Sequence, residues 1–148
     1  MRGFTLIELI IVLGVLVIIA GLTIPFFQSF QISSNLNTYS QTLANLIYQA
    51  RSQAITGQNN SSWGVFFDNE ANKAILFQGA NYDSRQADSE HDLNYPEFFN
   101  VATDFGKEIV FVEFSGRPSA NGTITISDSN NQSKIISINS LGLVQVNE

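Results

Sequence analysis

Residues 9–27 hold no ionisable side chain, and the residue just before them is a glutamate, Glu8. At about 1.5 Å rise per residue, a helix over that run covers roughly 29 Å, close to the hydrocarbon thickness of a bilayer. A chain that opens this way is expected to begin in a membrane. A secretory signal peptide also opens with a basic residue and an apolar run, but it needs small residues at a cleavage site just beyond. Thr23-Ile24-Pro25-Phe26-Phe27 supplies no such site, so the run is expected to stay on the protein.

Glu8 is the anomaly in this stretch, because a carboxylate inside an apolar helix is costly and marks a function with a partner to be named. If the bond after Gly3 is cut, Phe4 becomes the first residue and Glu8 the fifth. The carboxylate then lies one helical turn from a new ammonium group, near the positive end of the helix dipole. Such an ion pair closes either within one chain or between neighbours. Between neighbours it sets the height at which the next subunit docks. The plainer alternative is a single-span anchor whose glutamate sits among lipid headgroups.

The stretch Gly3-Phe4-Thr5-Leu6-Ile7-Glu8 resembles the processing site of class III signal sequences in type IV pilins and type II secretion pseudopilins. The resemblance implies cleavage after Gly3 by prepilin peptidase, N-methylation of Phe4, and a Glu8 that meets the terminus of an adjoining subunit. It further implies residues 1–3 as a leader and 4–30 as a transmembrane or filament-core helix. Pro25 falls where these families often carry a helix-kinking proline, and by itself it removes a backbone donor and disfavours helical angles at Ile24. A kink or locally loosened turn is therefore expected at Pro25, and the resemblance implies a segment between Gly14 and Pro25 that can unwind as subunits pack into a fibre.

After the apolar run about 120 residues remain, enough for one modest core. Cysteine is absent, which excludes disulfides, a thiol nucleophile and a thiolate metal site. The net charge of -6 repels phosphate backbones and anionic lipid heads.

Past Phe30 the pattern becomes one-sided. Ile32, Leu36, Tyr39, Leu43, Leu46 and Ala50 recur at spacings of four and three, with Ile47, Ala54 and Ile55 widening the stripe. The helix is thus expected to continue through an amphipathic half, 31–56, and to stop at Gly57. Short runs rich in Ile, Val and Phe follow at 63–68, 73–78, 108–114, 123–127, 134–139 and 143–146. Residues 68–72 and 128–132 look like hairpin loops. Residues 79–96 carry four acidic side chains and read as the least structured, variable loop, while 98–101 reads as a short strand or a helical turn.

Three of these pieces, residues 50–58, 114–118 and 136–142, resemble the GspH/FimT-like minor pseudopilins. Other constellations are weak. Asp83, Asp88, Glu90, His91 and Asp92 crowd one segment, but their spacing fits no calcium loop and charge-rich loops are usually just solvated. No metal or other cofactor is expected. His91 is the sole histidine, with no serine elbow or metalloprotease helix about it, so an enzyme is not expected. The tail 141–148 has no basic residue, so nucleic acid is not an expected partner. Phe66, Phe67, Phe77, Phe111 and Phe114 fall in predicted strands and are assigned to core packing.

The expectation is an α+β pilin fold, a long N-terminal helix packed on an antiparallel β-sheet within a globular domain, 31–148, whose sheet spans 62–148. The expected role is structural: a minor pilin or pseudopilin in a type IV pilus or type II secretion pseudopilus, assembling through its apolar helix. Its partners would be other subunits, prepilin peptidase, an inner-membrane assembly platform and the membrane. It would be a single-pass protein of the cytoplasmic membrane with its soluble domain outside, later drawn into a periplasmic or surface filament. The major subunit of a thin pilus is the alternative, with a FimT-like DNA-uptake minor pilin behind it.

Overall fold

The computed structural model describes residues 4–129 and 131–147, apart from the side chains of 22–33. The chain divides into two compact units, Met1–Asn35 and Leu36–Glu148. Helix α1 (Leu6–Ile55) enters both, and its backbone is helical across Gly14, Gly21 and Pro25 without a break. The helix ends where expected, with Gly57 in the left-handed region at φ 64.

In the second unit, α1 is followed by eight strands in two antiparallel sheets. The first sheet has the order β3-β2-β1-β5, from β1 (Trp63–Asp68), β2 (Lys73–Gln78), β3 (Gln86–Asn94) and β5 (Glu108–Phe111). The second has the order β4-β6-β7-β8, from β4 (Asn100–Thr103), β6 (Gly122–Ser127), β7 (Ser133–Ile138) and β8 (Val144–Asn147). One sheet was expected; there are two. Both expected hairpin loops form: Asp68 Oδ1 accepts from the amides of Glu70 and Ala71, and Asp128 Oδ1 accepts from that of Gln132.

The core is one cluster shared by the helix and both sheets. Alternate residues of β1 and β5 (Trp63, Val65, Phe67, Ile109, Phe111) meet Ala74 and Leu76 of β2 on one side. Val101, Ile124, Ile126, Ile136 and Ile138 come from the second sheet, and Leu36, Leu43, Leu46, Ile47, Ala50 and Ala54 from the helix. The helical stripe predicted from spacing is thus the buried one, with three departures. Ile55 is exposed, Ala44 is buried although outside the predicted stripe, and Ser40 is fully buried, its hydroxyl donating to the Asn37 carbonyl at 2.9 Å.

The main correction concerns 79–96. It holds the nine-residue strand β3, paired antiparallel with β2 through Lys73 to Asn94, Ala74 to Leu93, Ile75 to Asp92 and Leu76 to His91. β3 is an edge strand with mostly exposed side chains, so backbone pairing holds it and its polar sequence leaves no apolar period to read. Before it, residues 79–85 cross the outer face of the first sheet. The Tyr82 ring stacks on Phe66 at 3.9 Å and meets Phe77 edge-on at 5.6 Å, while the Tyr82 amide donates to Glu108 Oε2 at 2.8 Å. The Arg85 guanidinium lies 3.7 Å over the other face of Tyr82 and pairs with Glu90, a hydrogen bond that raises its pKa.

Beneath this strap, Phe77 lies across from Gly64, and the pairing works only without a side chain at 64. A Cβ there would sit 2.6 Å from Phe77 Cζ and 2.7 Å from the Ile109 carbonyl oxygen. Gly64→Val is expected to lose about 2–3 kcal/mol by overpacking, read as a lower urea midpoint with an unchanged slope.

Tyr95 closes the far end of β3. Its hydroxyl donates to Asn69 Oδ1 at 2.9 Å, with the Asp68 carbonyl at 3.3 Å. Burial, helped by the charge of Asp68, pushes its phenol up from 10.0 to about 12. The fold favours the neutral phenol, so its contribution is complete below pH 10.0 and lost as pH rises towards about 12. Tyr95→Phe is expected to cost about 1 kcal/mol at neutral pH through the lost hydrogen bonds. In denaturation series over that alkaline window, the gap between wild type and variant should close.

Candidate assembly site

Two places in the described residues gather the sequence-flagged residues: the start of α1 and the junction at its end. At the start, Thr5 caps the helix. Its hydroxyl accepts from the Glu8 amide at 3.4 Å, and its carbonyl takes the first helical bond from Leu9 at 3.3 Å. Thr5-Leu6-Ile7-Glu8 therefore has capping-box spacing, and the Thr5 hydroxyl forms its half of the box. Glu8 is exposed, one residue in a run of exposed apolar side chains from Phe4, at 84%, to Ile19, at 54%. Gly3 lies outside the described residues, as do the side chains of Pro25 and Ile32.

Among the described residues, no helix is long and apolar enough to cross a membrane. The apolar run with described side chains, 6–21, spans roughly 24 Å at about 1.5 Å per residue, short of the ~30 Å of hydrocarbon. Residues 22–30 of the expected span add length in sequence but lie outside the described side chains.

At the other end of α1, three separate stretches converge. The Phe114 amide donates to the Ala54 carbonyl at 2.8 Å, and the Arg51 guanidinium donates to the Leu141 carbonyl at 3.2 Å. Gly116 faces Ile55, and Gly142 faces Arg51 and the Gly116 carbonyl. Arg51 Nε is buried without a partner. The turn carrying Gly116 also explains why β5 stops at Phe111 and not at 114. Val112 and Arg117 pair across a tight reversal, and Phe114 takes φ 58 and stands 64% exposed, contrary to its expected place in the core.

The acidic residues of 83–92 do not gather. Glu90 faces Arg85, and Asp92 pairs with Lys73 at 3.1 Å, which raises the lysine pKa. Among the described residues no three His, Asp or Glu side chains group to hold a metal ion. His91 lies beside Leu76 on β2, at the rim of an open polar cleft.

A family model described as type II transport protein GspH matches residues 40–142. The chain belongs to the GspH family. In fold, this GspH-family chain is similar to the minor pseudopilin EpsH from the type 2 secretion system of Vibrio cholerae. The two share 14% identity at TM-score 0.59, over 76% of this chain and 96% of that one. It is likewise similar to the type IV minor pilin FimU of Pseudomonas aeruginosa, at 17% identity and TM-score 0.59, over 76% of this chain and 93% of that one. No curated protein sequence matches. The architecture is the pilin fold, an α+β arrangement of an N-terminal helix on antiparallel sheets. The stretches 50–58, 114–118 and 136–142, scattered in sequence, are those that meet at the helix end in this GspH-family chain.

This junction is tight enough to test. A Cβ at Gly116 would sit 2.3 Å from Ile55 Cγ1, in a backbone conformation, φ 60, that side chains disfavour. Gly116→Ala is expected to cost about 2 kcal/mol or more. Adding Ile55→Ala should recover part of that loss in a double-mutant cycle of unfolding free energies.

Proposed function

We propose that this chain is a minor subunit of a type II secretion pseudopilus or a related type IV pilus, brought into the filament by its N-terminal helix. Family and fold are those of structural pilin-type subunits, and relatives of this kind assemble with other pilin subunits. The observation that carries the reading is the exposed apolar surface from Phe4 to Ile19, interrupted by one carboxylate. Water disfavours such a surface, and it is satisfied by lipid before assembly and by neighbouring helices after it.

In this reading residues 1–3 are a leader that prepilin peptidase removes after Gly3, and Phe4 is then N-methylated. Residues 4–30 form the membrane and filament-core segment, and 31–148 the globular part. The chain waits as a single-pass protein of the cytoplasmic membrane with the globular part outside, and an inner-membrane assembly platform feeds it into a periplasmic or surface filament. The exposed Glu8 carboxylate meets the Phe4 amine of an adjoining subunit. An unpaired carboxylate in an apolar bundle would cost several kcal/mol, which makes the pairing selective for one register.

Glu8→Ala is expected to leave membrane insertion and processing intact while filament incorporation, measured by immunoblot of sheared or pelleted filaments, falls at least about tenfold. Mass spectrometry of native protein should find an N-terminal methylated Phe4. Retention of Met1-Arg2-Gly3, or unchanged incorporation of the variant, would overturn the reading.

A further inference from the structure

The globular unit also holds an open cleft of about 340 Å³ that helix-driven assembly leaves unused. Gln49 and Gln53 of α1 form one wall, and Asp88, Ser89 and His91 of β3 the other, over a floor containing Trp63. The β3 wall is irregular. Leu76 pairs with His91 and Gln78 with Gln86, so residues 87–90 all stand opposite Phe77. A bulge of that kind turns side chains away from the regular pleat. It brings the Ser89 hydroxyl to Gln78 Oε1 at 3.0 Å, and Asn59 Nδ2 donates to the same oxygen at 3.0 Å.

Gln78 is thereby satisfied, and two other acceptors are not. Gln53 Oε1 is buried without a hydrogen-bond partner, and the exposed Asp88 carboxylate makes no ion pair with a described residue, whereas Glu90 is taken by Arg85. The cleft is therefore matched to donors. Trp63 is buried, with its indole N–H donated to the Gln58 carbonyl at 3.1 Å, so it offers no flat stacking surface to a sugar or a base. The net charge of -6 opposes a polyanion. Beside the cleft runs the outer edge of β3, which pairs with no described strand. An extended peptide uses both features, with its backbone along a strand edge and a side chain in a pocket.

We propose that this cleft and the β3 edge bind an extended segment of another protein that carries arginine or lysine, whose side-chain donors engage Asp88 and Gln53. Acidic side chains along an edge deter neutral strands, so they select for a basic one. The site is built from the C-terminal part of α1 and from β3, away in sequence from the apolar run, and its test is independent of filament assembly.

Trp63 is the sole tryptophan and reports on the cleft floor. The full chain in uncharged detergent is titrated with a blocked heptapeptide of alternating threonine and arginine while its emission is followed. The expected result is a saturable shift, absent with a peptide carrying glutamate in place of arginine. Asp88→Asn should weaken binding about tenfold, as loss of a charged hydrogen bond does. Gln49→Arg, on the exposed opposite wall, should abolish it with the thermal midpoint unchanged. No saturable shift at millimolar peptide, an equal shift with the glutamate peptide, or binding indifferent to either substitution would overturn the proposal.

Discussion

The globular unit depends on α1 supplying the third wall of a core that neither sheet could close. Ile47, Ala50 and Ala54 have no exposed surface, and the two alanines, one turn apart, let the helix backbone approach the strands closely. Isoleucines of the second sheet and aromatics of the first fill the rest of the same cluster. With no disulfide in the chain, this shared burial is what holds helix and sheets together.

A second layer lies on the first sheet's outer face. β2 is buried along both faces from Ala74 to Gln78, which a strand in an antiparallel sheet with one solvated face would not be, and the Tyr82 strap accounts for part of that cover. Tyr82 is held from both sides, by Phe66 below and the Arg85 guanidinium above. The polar segment that read as a loose loop thus does two jobs, covering the sheet and extending it by a strand. Neither leaves an apolar signature, because stacking needs one ring and edge pairing needs only backbone.

At the helix end the same economy appears in backbone contacts. Phe114 donates its amide to Ala54 while its ring turns to solvent, and Arg51 reaches the Leu141 carbonyl across the junction. Hydrophobic patterning assigned Phe114 to the core because period and composition say nothing of a left-handed turn at a phenylalanine. By contrast, Trp63–Asp68 and Lys73–Gln78 matched residue for residue, since two runs rich in Ile, Val and Phe meet at a strong Asp68 turn.

Glu8 and the run behind it were legible as an anomaly from composition alone: one charge before a long uncharged stretch is a statement about solvent that needs no coordinates. The helical stripe was equally legible, because a 3.6-residue period records which face is buried. Tertiary structure decided what distance along the chain conceals. It split the strands between two sheets, put a bulge opposite Phe77, brought Gln53 and Asp88 to one cleft, and closed three remote stretches on the end of α1. Those contacts join residues tens of positions apart through backbone groups and single side chains, and no local pattern carries such information.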